Sequence, residues 1–345
     1  MTMGNKYGAH RVIEPKGLLP QAAQKIDNTM EIFDNEILID VSALNIDSAS
    51  FRQLWSASDH DEQRLREMIL GIVGERGKMQ NPVTGSGGML MGTVAKIGSA
   101  LRDHRDIKVG DRIASLVSLS LTPLHIDEIL AVHPEVDRVD IKGQAILFES
   151  GIYAKLPEDM PEALALAALD VAGAPAQTAN IVKPGDSVLI LGAGGKSGML
   201  CGYEAMKRVG ACGNVVGMSR NDRYERTLLD NHFVHKYFVA DANNPMEVLE
   251  KALECNDGKE FDVAINVVNI EGTEMSTILP VRDGGLVYFF SMATSFTRAA
   301  LGAEGVGKDV TMIIGNGYTK NHAEITLQEL RESPALREIF EKSYI

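Results

Sequence analysis

The sequence is short of cysteine, of positive charge and of long apolar runs, and each shortage narrows what the chain can be. Only three cysteines occur in 345 residues, Cys201, Cys212 and Cys255. Their number is odd and no pair has metal-ligand spacing, so the chain reads as a reduced, cytoplasmic protein. Lys and Arg number 34 against 47 Asp and Glu, a net charge of −13. No basic excess exists to displace counterions, which argues against nucleic acid and anionic membranes as partners and leaves room only for a local anion pocket. MTMGNKYGAHRV lacks the apolar core of a signal peptide, and no apolar run long enough to span a bilayer follows.

What is present is ordinary in bulk and patterned in detail. The chain is 45% hydrophobic and long enough for two domains. From Asn35, NEILIDVSALNID alternates as a half-buried strand does, and DEQRLREMILGIVGE (61–75) has helical spacing after an acidic start. Glycine-punctuated stretches then predict short strands with turns at Gly98, Gly110-Asp111 and Gly151. The character changes near Pro161, where an Ala/Leu-rich helix broken around Gly173 and Pro175 opens a regular alternation of strands and helices. The expected fold class is α/β: a β-rich first domain, then a doubly wound parallel sheet. The expected boundaries are 161–321 for the sheet domain and 1–160 with 322–345 for the other, the amphipathic tail packing back on the first domain.

The segment LILGAGGKSG (189–198) follows an apolar strand and admits two phosphate-binding readings. A P-loop needs a glycine five residues before the one preceding Lys-Ser, and Ile190 stands there. The loop instead suits a dinucleotide: Gly192, Gly194, Gly195 and Gly198 allow the tight turn and close backbone approach, while N–H groups at Lys196 and Ser197 open a helix toward the pyrophosphate. An acidic residue about 20 positions on commonly holds the ribose of NAD. Here the next strand ends at Ser219-Arg220, 21 and 22 residues beyond Gly198. A hydroxyl and a guanidinium suit the 2′-phosphate of NADP(H), with NAD(H) through Asp222 as the alternative. Strand-end positions nominate Asn266, Val268, Ser291 and Met292 as further cofactor contacts, with Pro175-Ala176 from the preceding helix.

The order of parts resembles the medium-chain dehydrogenase/reductase superfamily, through NIDSAS, NPVTGSGGMLMGTVAKIG, KVGDRIASL and VKPGDSVLILGAGGKSG. That resemblance implies a GroES-like catalytic domain followed by a Rossmann domain. The superfamily's zinc members carry Cys and His ligands in the first domain, whereas no cysteine precedes Cys201 here, so no metal is expected. KYGAHRVIEPKGLLPQ, LFESGIYA, ALDVAGAPAQ, SMATSFT and ALGAEGVGKDV are similar to the L-erythro-3,5-diaminohexanoate dehydrogenase family. This resemblance implies NAD(P)-dependent oxidative deamination of a small diamino acid to 5-amino-3-oxohexanoate and ammonia in lysine fermentation, by a homodimer. A quinone or alkenal reductase of the same fold and a non-catalytic NADPH sensor are the rival readings.

Amine oxidation needs a proton acceptor, because an ammonium group cannot give up hydride. Asp47, Glu149 and Asp170 are the candidate catalytic carboxylates, two of them interrupting apolar runs where an unpaired charge is costly. Asp47 has an alternative reading as a turn cap, and Glu149 and Asp170 as structural partners of Lys or Arg. Glu304, in a glycine-rich stretch, is the candidate for substrate ammonium; Lys78 and Arg11 are candidates for its carboxylate. His10 beside Arg11 is read as structural or solvated, with a proton relay as the alternative.

Overall fold

The computed structural model describes residues 2–103, 106–291, 293–315 and 317–344. The chain divides into two units between Glu158 and Asp159. The first contains β1 (Val12–Glu14), β2 (Lys25–Ile26), β3 (Glu36–Asn45), α1 (Ser48–Ala57), α2 (Glu62–Arg76), β4 (Met89–Ile97), β5 (Arg112–Ser115), β6 (Leu124–His133), β7 (Arg138–Phe148) and β8 (Tyr153–Lys155). An antiparallel sheet runs β6-β7-β3-β4-β5-β8. Alternation in β3 sends Ile37, Ile39 and Val41 into the core, where Leu65, Ile69 and Val73 of α2 meet the same cluster at a four-residue spacing. Each such side chain contributes about 1.5–3 kcal/mol by leaving water. Gly77 ends α2 with φ +72°, and a Cβ there would strike the Ile26 carbonyl oxygen at 2.2 Å. Here glycine serves both the left-handed turn and the close approach of β2.

The second unit contains α3 (Glu162–Leu169), α4 (Gly173–Ile181), β9 (Ser187–Leu191), α5 (Lys196–Val209), β10 (Asn214–Ser219), α6 (Glu225–Asp230), β11 (Lys236–Val239), α7 (Pro245–Cys255), β12 (Phe261–Asn266) and α8 (Glu274–Ile278). It continues with β13 (Val281–Phe289), α9 (Phe296–Val306), β14 (Val310–Ile314), α10 (His322–Glu332) and α11 (Pro334–Tyr344). All six strands are parallel, in the order β11-β10-β9-β12-β13-β14. The strand order reverses between β9 and β12, which places a ligand crevice beyond the carboxyl ends of those two strands.

The C-terminal tail corrects an expectation. Residues 322–344 pack on α3, α4 and α5 and group with the second unit. Leu327 and Leu330 of α10 and Leu336 and Phe340 of α11 are buried, and Thr326 donates to the Ala172 carbonyl. Arg331 reaches Asp159, and Lys207 of α5 reaches Glu332 at 2.7 Å.

That packing buries two carboxyl groups, Glu204 on α5 and Glu329 on α10, both fully shielded. Glu204 pairs with Arg208 at 2.6 Å and approaches Lys207 at 3.3 Å, while among the described residues neither Glu329 oxygen has a hydrogen-bond donor. Burial, followed by the charge of Glu204, pushes the Glu329 carboxyl well above its ordinary 4.5. A proton on Glu329 turns one of two repelling acceptors into a donor. Because the folded pKa is raised, this stabilisation is fully present below about pH 4.5 and is lost as pH rises toward the folded value, at ~1.4 kcal/mol per unit. Glu329→Gln, permanently neutral, will therefore melt higher than wild type at pH 8 and no higher at pH 4.5. Calorimetric scans across that window give the comparison.

Candidate dinucleotide and substrate site

The glycine loop joins β9 to α5 at the point where the strand order reverses. Gly192 turns the chain with φ +89°, and its N–H and that of Ala193 both donate to the Met218 carbonyl, at 2.9 and 3.0 Å. Gly194 donates to the Ser219 hydroxyl at 3.0 Å and lies against the Tyr224 ring. Gly195 is the N-cap of α5, at φ −84°, and contributes no side-chain cap. The N–H groups of Ser197 and Gly198 therefore face outward without an intrahelical acceptor. A Cβ at Gly198 would stand 2.1 Å from the Gly192 carbonyl oxygen and 2.6 Å from the Ala193 Cα, so only glycine lets the helix start this close to the strand. These groups fit the pyrophosphate of a dinucleotide: bare N–H donors at a helix N-terminus, brought close to the turn by the missing Cβ of Gly198.

Around the loop the expected residues divide. Val268 packs its methyl over Gly192, 3.1 Å from where a Cβ would be, and so walls the crevice. Asn266 is corrected: it is buried, its amide donates to Thr273 and Thr277 at 2.9 and 2.8 Å, and its oxygen accepts from Val268 N–H. Its hydrogen bonds shape the turn after β12 and leave the side chain nothing for a cofactor. Ser291 stands just beyond β13, and its hydroxyl accepts from Ala293 N–H. Met292 lies outside the described residues. Pro175 and Ala176 are buried inside α4, so they too are corrected to core positions.

Ser219 ends β10 half-buried, and its hydroxyl oxygen supports the loop through Gly194. Arg220 and Asp222 beyond it are both exposed. The sequence reading missed two aromatic residues here. Tyr224 closes on Gly194, with the Arg223 guanidinium over its ring at 5.1 Å, and the Tyr237 hydroxyl donates to the Asn221 carbonyl at 2.5 Å. The signal was an aromatic residue shortly after the second strand, where a dinucleotide's adenosine half lies.

Among the carboxylates, Asp170 is the one that flanks the cradle. It caps the C-terminus of α3, at the joint 170–172 before α4, and Lys196 Nζ donates to its Oδ2 at 2.6 Å. The structure thus joins two residues named for different roles. Asp47 is the N-cap of α1, accepting from Ala49 N–H at 2.9 Å, which is its alternative reading as a cap. Glu149 accepts from Asn35 Nδ2 at 2.9 Å within the first unit.

Three substrate candidates are corrected. Arg11 is 1% exposed, and all its N–H groups are engaged: two on Glu36 at 2.8 and 2.7 Å, the rest on the carbonyls of Asp27, Thr29 and Glu31. Lys78 is fully buried, donating to the Pro20 and Gln21 carbonyls at 2.5 and 3.2 Å, and burial, then the charge of Arg76, pulls its ammonium down to about 8. Both pin the N-terminal segment and offer no cation to a substrate. Glu304 is exposed in the last turn of α9, not in a loop. That helix begins after the carboxyl end of β13 and runs back toward the start of β14, so Glu304 stands near the opposite sheet edge from the glycine loop.

Cys201 is fully buried, and burial lifts its thiol to about 12, which keeps it inert. Among the described residues no three His, Cys, Asp or Glu side chains are grouped to hold a metal ion, and no helix is long and apolar enough to cross a membrane.

Known proteins can be set beside this geometry. Residues 10–157 match the family model described as the L-erythro-3,5-diaminohexanoate dehydrogenase N-terminal domain. The chain is 69% identical over 342 residues to the Acetoanaerobium sticklandii protein named L-erythro-3,5-diaminohexanoate dehydrogenase, covering 99% of each. It is 67% identical over 345 residues to the Fusobacterium nucleatum protein of that name, covering all of both. Among solved structures it is similar to Escherichia coli quinone oxidoreductase in complex with NADPH, with TM-score 0.50 and 17% identity, over 94% of this chain and 85% of that one. At that identity the likeness concerns the fold alone.

Proposed function

The chain belongs to the L-erythro-3,5-diaminohexanoate dehydrogenase family, and from that premise we propose that it oxidatively deaminates 3,5-diaminohexanoate to 5-amino-3-oxohexanoate and ammonia at the crevice beside Gly192–Gly198. It is an oxidoreductase acting on an amine-bearing substrate. The reductase and sensor readings rest on fold alone. The observation that carries the site assignment is the bare helix start at Ser197 and Gly198, held against β9 by a contact only glycine permits. A nicotinamide dinucleotide bound there supplies the hydride acceptor.

This chain's residues supply the rest. Ser197 and Gly198 N–H groups bind the pyrophosphate, and Val268 walls the crevice over Gly192. Asp170 is the candidate carboxylate beside the cradle, and its Oδ2 is assigned to a substrate ammonium group. Asp47 and Glu149 are bound to backbone and to Asn35 in the first unit, and that engagement favours structural work for them.

Arg220 is proposed to set a preference for NADP(H) over NAD(H), since no carboxylate ends β10 and the exposed guanidinium follows Ser219 directly. Losing one charge-assisted contact to a 2′-phosphate is worth about 1.5–3 kcal/mol, so Arg220→Ala will cut the ratio of kcat/KM for NADP⁺ over NAD⁺ by at least ~10-fold. The assay follows reduced nicotinamide and released ammonia with 3,5-diaminohexanoate and each cofactor in parallel. No turnover with either would sink the functional reading; an unchanged ratio would sink only the role of Arg220. A homodimer and a place in cytoplasmic lysine fermentation follow from the same family premise. The dimer is proposed across the sheet edge that β14 forms, where Ile314 is exposed; sedimentation of the purified chain tests it.

A further inference from the structure

Lys196 and Asp170 form an ion pair where a charge of either sign has other work to do. Lys196 is the first residue of α5, the helix whose opening N–H groups face the pyrophosphate site. Its Nζ is held on Asp170 Oδ2 at 2.6 Å, and the lysine is three-quarters buried while Asp170 is nearly half exposed. Asp170 lies at the joint between α3 and α4, 26 residues upstream, so the pair is a tertiary contact and not a helix-surface pair.

A pyrophosphate in the cradle brings two negative charges beside this carboxylate. Left as it is, the pair would spend the cation of the helix start on Asp170 and set a like charge against the cofactor. The family's substrate presents two ammonium groups, each a match for a carboxylate that has lost its partner.

We infer that Lys196–Asp170 is an exchange pair that orders binding: Lys196 turns from Asp170 to the pyrophosphate, and Asp170, so released, accepts an ammonium group of the diamino acid. This rests on the reading of Gly192–Gly198 as a dinucleotide cradle. Asp170 then weakens cofactor binding in the free enzyme and strengthens substrate binding in the loaded one. A merely structural ion pair would do neither.

The test measures binding by calorimetry on the full chain, with oxidised dinucleotide alone, 3,5-diaminohexanoate alone, and each in the presence of the other. In wild type the diamino acid should bind only after the dinucleotide. Asp170→Asn should bind the dinucleotide several-fold tighter while the loaded protein loses at least tenfold in affinity for the diamino acid. Lys196→Met should bind the dinucleotide at least tenfold more weakly, yet take the diamino acid without it, because Asp170 is already unpaired. Melting curves for both variants establish that they are folded at the assay temperature. The inference is overturned if Asp170→Asn weakens or does not change dinucleotide binding, or if Lys196→Met still requires the dinucleotide first. Wild-type protein that binds no dinucleotide would overturn the cradle reading itself, a separate outcome.

Discussion

Arg11→Ala will lower the melting temperature by on the order of 10 °C and leave the KM for the diamino acid unchanged at temperatures where the variant is folded. The guanidinium is a buried hub. It holds Glu36 in a two-pronged contact at 2.8 and 2.7 Å and ties the carbonyls of Thr29 and Glu31 to the same point. Phe33 packs against its plane at 5.4 Å. Removing it strands a carboxylate that is 1% exposed. His10 Nε2 would still face that carboxylate at 2.9 Å, its other ring nitrogen accepting from Asn5 N–H. That ring and the Phe33 N–H, which donates to Glu36 Oε2 at 3.0 Å, do not replace a fork of charged donors. Breaking one side of a buried pair costs about 3–5 kcal/mol, and at 2–4 °C per kcal/mol for a unit of this size the shift is easily read. Arg11→Lys keeps the charge and loses the fork, so it will recover only part of the loss. A variant that melts like wild type but shows a raised KM would restore Arg11 to the substrate site.

The contrast between Arg11 and the glycine loop explains what could be read from residue order. The loop is local: strand, turn and helix start lie within a dozen residues, and the reasons for glycine there do not depend on distant partners. Arg11 and Lys78 draw their meaning from carbonyls 16 to 58 positions away, and nothing in KYGAHRV or ERGKMQ marks a cation as already engaged. Asp47 lay between these cases, because a side chain that caps its own helix is written in the next two residues.

Elements followed the same division. The parallel strands β9, β10 and β12 are legible because both faces are buried and their apolar runs are nearly continuous. The helix α9 was hidden by Gly302 and Gly305, which suggest a loop. It forms because Ser295 caps it through Arg298 N–H and because Ala299 and Ala303 pack into the core. In β6 only part of one face is buried, and exposed His125, Asp127 and Glu128 mask the strand. The tail's place is not legible, because amphipathicity says that a helix face is covered, not what covers it. Its partners are α3, α4 and α5.

Gly198→Ala will weaken dinucleotide binding by about 100-fold or more, whereas Gly195→Ala, three residues earlier, will bind within a few-fold of wild type. Both residues belong to the same glycine cluster, so a preference for flexible loops would treat them alike. Their surroundings differ. A Cβ at Gly195 meets nothing nearer than the Gly192 carbonyl at 3.4 Å, an ordinary contact. At Gly198 the same oxygen would be 2.1 Å away, with the Ala193 backbone at 2.6 and 2.8 Å. These backbone atoms cannot rotate aside, so α5 must retreat from the turn after β9 by about an ångström to restore contact distances. A hydrogen bond stretched that far is lost. Two or three charge-assisted contacts from the helix start, at about 1.5–3 kcal/mol each, account for the 100-fold. Gly192→Ala gives an intermediate case, since its φ of +89° and its neighbours Val267 and Val268 strain the turn without separating helix from strand. The order Gly195, Gly192, Gly198 in increasing loss, read by calorimetry with dinucleotide alone, distinguishes a cradle set by helix–strand spacing from a loop that needs only freedom to bend.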